Sequence, residues 1–264
     1  MIETLEQLRT LYAAPGERAL HKQQPQLDVH CQRFIALSPF CVVASGGAHG
    51  ALLDASPRGG APGFVKSPDP HTLLLPDGSG NNRLDTLSNL LEDPRIGLLF
   101  MIPGVDETLR VNGTARLRDE PLYTDFFTAE RQRPKLVIEV RVAEAYLHCS
   151  KAFMRSRLWS ADAQVDRAAL PTMGQMIHDQ MGLATEPESQ VAMLQRYRAQ
   201  LAQEQQLGML EMEHPLSRFA PSPLSRIAKQ CGRGTPPARR GGPCARALAS
   251  ATPVSSAARG ALRF

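Results

Sequence analysis

No apolar run in the 264-residue sequence approaches the roughly 20 residues that a membrane-crossing helix needs. The first residues, MIETLEQLRTLYA, are charged and periodic, which argues against a secretory signal. The five cysteines (Cys31, Cys41, Cys149, Cys231, Cys244) form no CxxC pair and no Cys/His cluster of metal spacing. An odd number of thiols without a signal fits a reducing cytoplasm, and no zinc site is expected. Three catalytic patterns are also missing: there is no GxSxG, no GxGxxG, and no Walker lysine after GSGNNR. Ser56 has no histidine near it in sequence, and His148 and Cys149, adjacent in an expected strand, point to opposite faces. The carboxylate pairs Glu92–Asp93 and Asp119–Glu120 fall at element ends, where solvated charge is the default reading.

Acidic residues are absent altogether from Pro215 onward, where nine Lys/Arg occur. Residues 1–214 therefore hold 21 basic against 26 acidic side chains, and the overall charge of +4 comes from the last segment. That segment is rich in Pro, Gly, Ala, Ser and Arg and lacks apolar periodicity, so 215–264 is expected to be a disordered basic tail. A nucleic-acid or membrane arm and an out-of-frame C-terminus are the other readings of it.

What is present is an alternation of strand and helix signals. Leu5, Leu8 and Leu11 predict an amphipathic helix over 2–13. Asp28 predicts the cap of a second helix reaching Leu37, which Pro39 stops. FCVVAS (40–45), ALLDAS (51–56) and the run centred on Leu73–Leu75 read as strands, whereas PRGGAPGF looks too rich in Pro and Gly to be regular. In NRLDTLSNLLEDP, Leu84, Leu87, Leu90 and Leu91 share a helical face, and Asn82 with Asp85 suggests a capping box. RIGLLFMI (95–102) reads as a buried strand. TLRVNGTARLRD (108–119) alternates, with Leu109, Val111, Gly113, Ala115 and Leu117 inward and Arg110 and Asn112 outward. KLVIEVRVAEAYLHC (135–149) is another strand, with Leu136, Ile138, Val140 and Val142 inward. A helix is expected near Pro121, another in PTMGQMIHDQM, and a third capped by Thr185 and Glu188, with Val191, Leu194 and Leu201 on one stripe. Without βαβ alternation, the class is α+β around a small, mainly antiparallel barrel.

Cationic and amide donors gather at strand ends and helix starts. Arg58 follows Ser56–Pro57. Asn81, Asn82 and Arg83 open a helix, whose free N–H groups and dipole favour an anion. Arg110 and Asn112 line a strand's polar face. Ser150, Lys151, Arg155 and Arg157 precede Trp159, the single tryptophan. From spacing alone, a helix cap with a surface charge is the favoured reading of Asn82 and Arg83.

The ordered set DASPRGGAPGFV, LLLPDGSGNNRLD, EDPRIGLLFMI, IPGVDETLRVNG and CSKAFMRSRLW resembles the pyridoxamine 5'-phosphate oxidase-like FMN-binding split barrels, over roughly residues 1–210. The resemblance implies a six-stranded antiparallel split barrel with flanking helices and a helical C-terminal portion. It also implies a homodimer with FMN at the interface, and FMN-dependent oxidoreduction of a small molecule. A flavin-, deazaflavin- or haem-binding protein without turnover is the alternative. By this resemblance Ser56, Pro57 and Arg58 face the flavin, with Leu75 and Pro76 on the next strand. Asn82 and Arg83 hold the phosphate, and Thr108 reaches the ring. Lys151, Arg155 and Arg157 in the CSKAFMRSRLW motif are assigned loosely to phosphate or substrate, and Arg110, from its place on the strand's polar face, is counted with the cofactor-binding residues. No side chain is assigned as acid or base. The turn reads Asn-Asn-Arg where the oxidases have Ser-Arg-Lys, and their Arg-Leu-x-Pro ending has no match, so pyridoxamine phosphate is not the expected substrate. The implied setting is cytoplasmic, with no membrane and no nucleic-acid partner.

Overall fold

The computed structural model describes residues 1–47, 52–78, 80–128 and 133–213, with side chains of all of these but 205–213. The expected tail, 215–264, lies outside the described residues, as do Cys231 and Cys244.

Seven antiparallel strands build one sheet. They are β1 (Phe40–Gly46), β2 (Leu53–Gly59), β3 (Lys66–Asp69), β4 (Thr72–Pro76), β5 (Arg95–Ile102), β6 (Val105–Arg118) and β7 (Val137–His148), in the spatial order β2-β1-β5-β6-β7-β4-β3. The additional strand over the six expected is the short β3, whose KSPD sequence carries no strand signal of its own. It forms because β4 offers it an edge, Lys66 opposite Leu74 and Asp69 opposite Thr72. Pro57–Gly59, expected to be irregular, belongs to β2. Because β2 is an edge strand, Pro57 costs no ladder bond on a second neighbour.

Period-two alternation places the core on one face of the sheet. Cys41 and Val43 of β1, Ile96, Leu98 and Phe100 of β5, Leu109 and Val111 of β6, and Ile138 and Val140 of β7 are all buried there. Two helices cover this face. In α3 (Val29–Leu37), capped as expected by the Asp28 carboxylate accepting from the Cys31 N–H at 2.8 Å, Cys31 and Ile35 point inward. In α4 (Asp85–Glu92), Thr86 and Leu90 are buried, whereas Leu84 and Leu91 are exposed. The four-leucine stripe is therefore corrected to Thr86, Leu87 and Leu90. A second, smaller cluster joins Leu74, Val137 and Phe127 behind β4.

One irregularity positions the chemistry described below. Gly113 pairs with Val142, but Asn112 pairs with Glu144, so Ala143 is an extra, unpaired residue of β7. Before it, Ile138, Val140 and Val142 face the core. After it, Ala145 faces the core, and Glu144, Tyr146 and His148 turn to the outer face.

The N-terminal helices α1 (Leu5–Leu11) and α2 (Glu17–His21) bury no residue, so the leucine stripe of the first helix is open in this chain. After β7 come α6 (Lys151–Ser156), α7 (Met173–Met181) and α8 (Gln190–Glu213), while α5 (Pro121–Thr124) lies between β6 and β7. The last helix is capped by Ser189, whose hydroxyl accepts from the Ala192 N–H at 3.2 Å, and not by Thr185 and Glu188. Among its described side chains the buried one is Met193; Val191, Leu194 and Leu201 are exposed. No helix among the described residues is long and apolar enough to cross a membrane.

Candidate functional site

β2, α4 and the end of β4 meet around Arg58. In β2, Asp54, Ser56 and Arg58 pair with Ser45, Val43 and Cys41, all buried, so the three share the core-facing side of this edge strand. Arg58 donates from Nη2 to Thr86 Oγ1 at 3.2 Å, and Thr86 Oγ1 donates to Asp54 Oδ2 at 2.6 Å. Ser56 Oγ also donates to Asp54, at 2.9 Å. The guanidinium is thereby tied to the first turn of α4. Asp77, just past β4, senses the same group: burial raises its carboxyl above the ordinary range, and the Arg58 charge opposes that rise.

The turn into α4 differs from the expected cap. Asn82 and Leu84 both have φ of 60°, and the cap position is Leu84, with no side-chain cap bond. No capping box forms. Asn81 instead accepts from the Arg83 N–H at 3.1 Å in an Asx turn, and Arg83 Nε donates to Asp85 at 2.9 Å. A left-handed leucine is a costly conformation, and such strain clusters at ligand clamps. The first turn of α4 has no side-chain cap bond, and Thr86 in that turn holds Arg58.

The remaining expected site residues divide between the two faces of the sheet. Leu75 is 1% exposed and belongs to the core, so it offers a ligand no open surface in this chain. Lys66 pairs with Leu74, and no residue of β3 pairs with Leu75 or Pro76. Pro57 and Arg110 lie in the same cross-strand row as Val42 and Leu99, on the outer face. Thr108, also in β6, is buried opposite His148. Beyond β7, Trp159 Nε1 donates to the Val105 carbonyl at 2.9 Å and its ring packs on Phe153, 5.5 Å between centroids, which docks α6 against the start of β6. Lys151 and Arg155 are exposed on α6, while Arg157, just past it at φ 52°, is paired with Asp162. Ser56 and Arg58 are thus tied through Asp54 and Thr86 to the helix that follows the Asn82–Arg83 turn, whereas Thr108 and Arg110 lie on the other face of the sheet and the α6 cations beyond β7. Thr86, Asp54 and Asp77 escaped sequence reasoning because only the fold brings them to Arg58.

Two thiols are excluded as nucleophiles. Burial pushes Cys31 up to about 11 and Cys41 to about 12, while Cys149 is exposed. His148 goes the other way for an imidazole: burial, then the charges of Lys22 and Arg110, lower it from 6.5. The unfolded chain therefore binds the proton more readily. Its contribution to stability is present above 6.5 and is lost as pH falls toward the folded value. An NMR titration of the His148 ring should give a midpoint below 6.5; a midpoint at or above it would contradict this environment.

The family model for pyridoxamine 5'-phosphate oxidase matches residues 27–149, which span β1 to β7 and both helices on the core face. Over those residues the chain is similar to a pyridoxamine 5'-phosphate oxidase-like split barrel. The Group A Streptococcus HupZ structure is similar at 16% identity and TM-score 0.39, covering 46% of this chain and 99% of that one. A general stress protein 26-related protein of the pyridoxinephosphate oxidase family, from Clostridium acetobutylicum, gives 11% identity and TM-score 0.33, covering 46% and 86%. The FAD binding protein from Mycobacterium smegmatis gives 11% and 0.34, covering 47% and 97%. Likenesses this distant carry nothing about activity. No curated protein matches the chain. Within the split barrel, the Arg58 group lies on the core side of the β2 edge, and the Thr108–His148 pair lies across the sheet from it.

Proposed function

We propose that this split barrel binds FMN and uses it for oxidoreduction of a small molecule, as a homodimer with the flavin at the subunit interface. The observation that carries the reading is Arg58 held by Thr86 against an uncapped first turn of α4. A phosphate at that turn would meet the helix dipole, the N–H groups and the guanidinium together. The residues fit such a group. Asp54 is already engaged by Thr86 and Ser56, and Asp85 by Arg83, so neither carboxylate is left facing the turn unpaired. Arg58, Asn82 and Arg83 would hold the phosphate and the end of β4 at Pro76 would lie beside the ring, while Thr108, on the opposite face of this chain's sheet, would reach that ring only from the second subunit of the homodimer. FMN, when bound, supplies the hydride or electron transfer. The chain's side chains bind and orient it and exclude water from one face.

Purified protein should absorb near the flavin bands or acquire them on adding FMN. A colourless protein that takes up no FMN would sink the proposal. Mass spectrometry of the released ligand separates FMN from a deazaflavin or haem. Bound flavin that nicotinamide donors and candidate substrates leave unreduced would give a binding protein and not an enzyme. Arg83→Ala tests the turn itself. Losing a charge-assisted phosphate bond should weaken FMN binding about tenfold or more, and unchanged affinity would leave Arg83 as Asp85's partner only.

A further inference from the structure

The chain ahead of the barrel is a helical arm with an uncovered apolar side. Leu5, Leu8 and Leu11 share one side of α1 and Tyr12 follows them; all four are exposed, as is Leu20 of α2. Leucines at this spacing form the stripe by which a surface helix packs on a neighbour. The helix itself is regular, with the Thr4 hydroxyl accepting from the Gln7 N–H at 3.2 Å as its cap. The root of the arm is fixed as well. Gln24 exchanges both backbone bonds with Ala145, at 3.0 and 2.8 Å. Lys22 Nζ donates to the Leu147 carbonyl at 2.8 Å and stands 5.3 Å from the centroid of the Tyr146 ring. The arm therefore leaves the sheet at the last residues of β7.

The C-terminal helices start from that same strand end, since α6 follows directly on β7. They carry a second uncovered surface. α7 sits hard against the residues before α8: a Cβ on Gly174 would stand 2.2 Å from the Glu188 carbonyl oxygen. Met173, Ile177 and Met181 share one side of α7, Val191, Leu194 and Leu201 share one side of α8, and all are exposed. Two apolar surfaces thus rise from one end of β7, and within the chain neither covers the other. A half-exposed apolar side chain presents roughly 40–80 Å², and each partner in a standard interface brings roughly 500 Å² of apolar surface. The arm by itself falls short of that, so two arms meeting only each other would not hold a pair together. Arm and helices together reach it, and in a two-fold pair each arm-to-helix contact is made twice.

We infer that the chain pairs with a second copy of itself by exchanging arms, α1 of each copy lying along the α7–α8 surface of the other. This rests on the homodimer of the flavin reading and names the surfaces that hold it, but it asks nothing of FMN.

The test uses the full chain, by analytical ultracentrifugation at micromolar concentrations. A dimer is expected. Its Kd should rise about a hundredfold or more in Leu8→Glu combined with Leu11→Glu, and equally in Leu194→Glu combined with Leu201→Glu. Circular dichroism checks that these variants fold, which the exposure of the four side chains within one protomer predicts. A photo-reactive side chain in place of Leu8, in a mixture of ordinary and isotopically heavy chains, reports where the arm lies. Mass spectrometry should find it joined to α7 or α8 of the other isotope. Crosslinks confined to single chains, or a dimer that survives both pairs of substitutions, would overturn the exchange. A monomeric parent would do the same, and if that monomer floats with phosphatidylglycerol vesicles the stripes belong to a lipid surface. A chain that dimerises through its arms but takes up no FMN would end the flavin reading and leave this one standing.

Discussion

Replacing Gly113 with alanine should lower the melting temperature by about 6–12 °C, which corresponds to roughly 3 kcal/mol in a domain of this size. A Cβ at this position would stand 2.0 Å from the Arg141 carbonyl oxygen and 3.3 Å from Val140 Cγ1. The oxygen belongs to the backbone of the neighbouring strand. It cannot move aside as a side-chain tip could, and it sits beside the bulge at Ala143, where β7 already departs from regular pairing. Relief would need the β6–β7 ladder to open at its middle. Gly16→Ala is the matched control, because a Cβ there meets nothing within 4 Å. Thermal melts followed by circular dichroism decide the matter. A Gly113→Ala midpoint within about 2 °C of the parent would mean that the strands part here without cost.

Arg58→Ala should cost the largest share of FMN affinity, about ten- to more than a hundredfold in Kd. The side chain already spans β2 and α4, so little order has to be gained on binding, and its planar fork suits a phosphate. Arg58→Lys should fall between, keeping the charge and losing the fork. Fluorescence titration of FMN measures both. The same substitution has a second readout that needs no ligand. Asp77 is raised by burial and held back by Arg58, so removing the guanidinium should raise the Asp77 carboxyl further. An Asp77 titration that stays where it was would show that the two do not face each other, and unchanged FMN binding would take Arg58 out of the phosphate seat.

Much of this architecture was legible because strands and helices here follow their periods. The alternation in TLRVNGTARL predicts the burial of Leu109, Val111 and Ala115, and Asp28 predicts its own cap. The misses share a cause: tertiary partners decided them. KSPD becomes β3 only because β4 has an edge to offer. Pro57 is tolerated because β2 has one neighbour. The turn at Asn82–Leu84 trades a side-chain cap for two left-handed residues, which no local pattern announces. The candidate site was legible in part. Ser56 and Arg58 share one face of β2 as their spacing predicts, but the Thr86 hydroxyl that ties Arg58 to α4 reads in sequence as a helix residue of low propensity. Lys22, Tyr146 and His148 carried no motif, because their neighbourhood depends on a strand whose alternation changes phase at Ala143.

That change of phase has a consequence for how the outer face arises. On an unbroken β7, the even-numbered positions from Ile138 onward would all lie on the core side, and Glu144, Tyr146 and His148 would compete with Val140 and Val142 for the interior. One surplus residue exchanges odd for even, and three polar side chains change sides together. A surface of this kind is written by the length of a strand as much as by its letters. Proteins sharing this fold but lacking the surplus residue would carry the same side chains into the core or have none of them there at all.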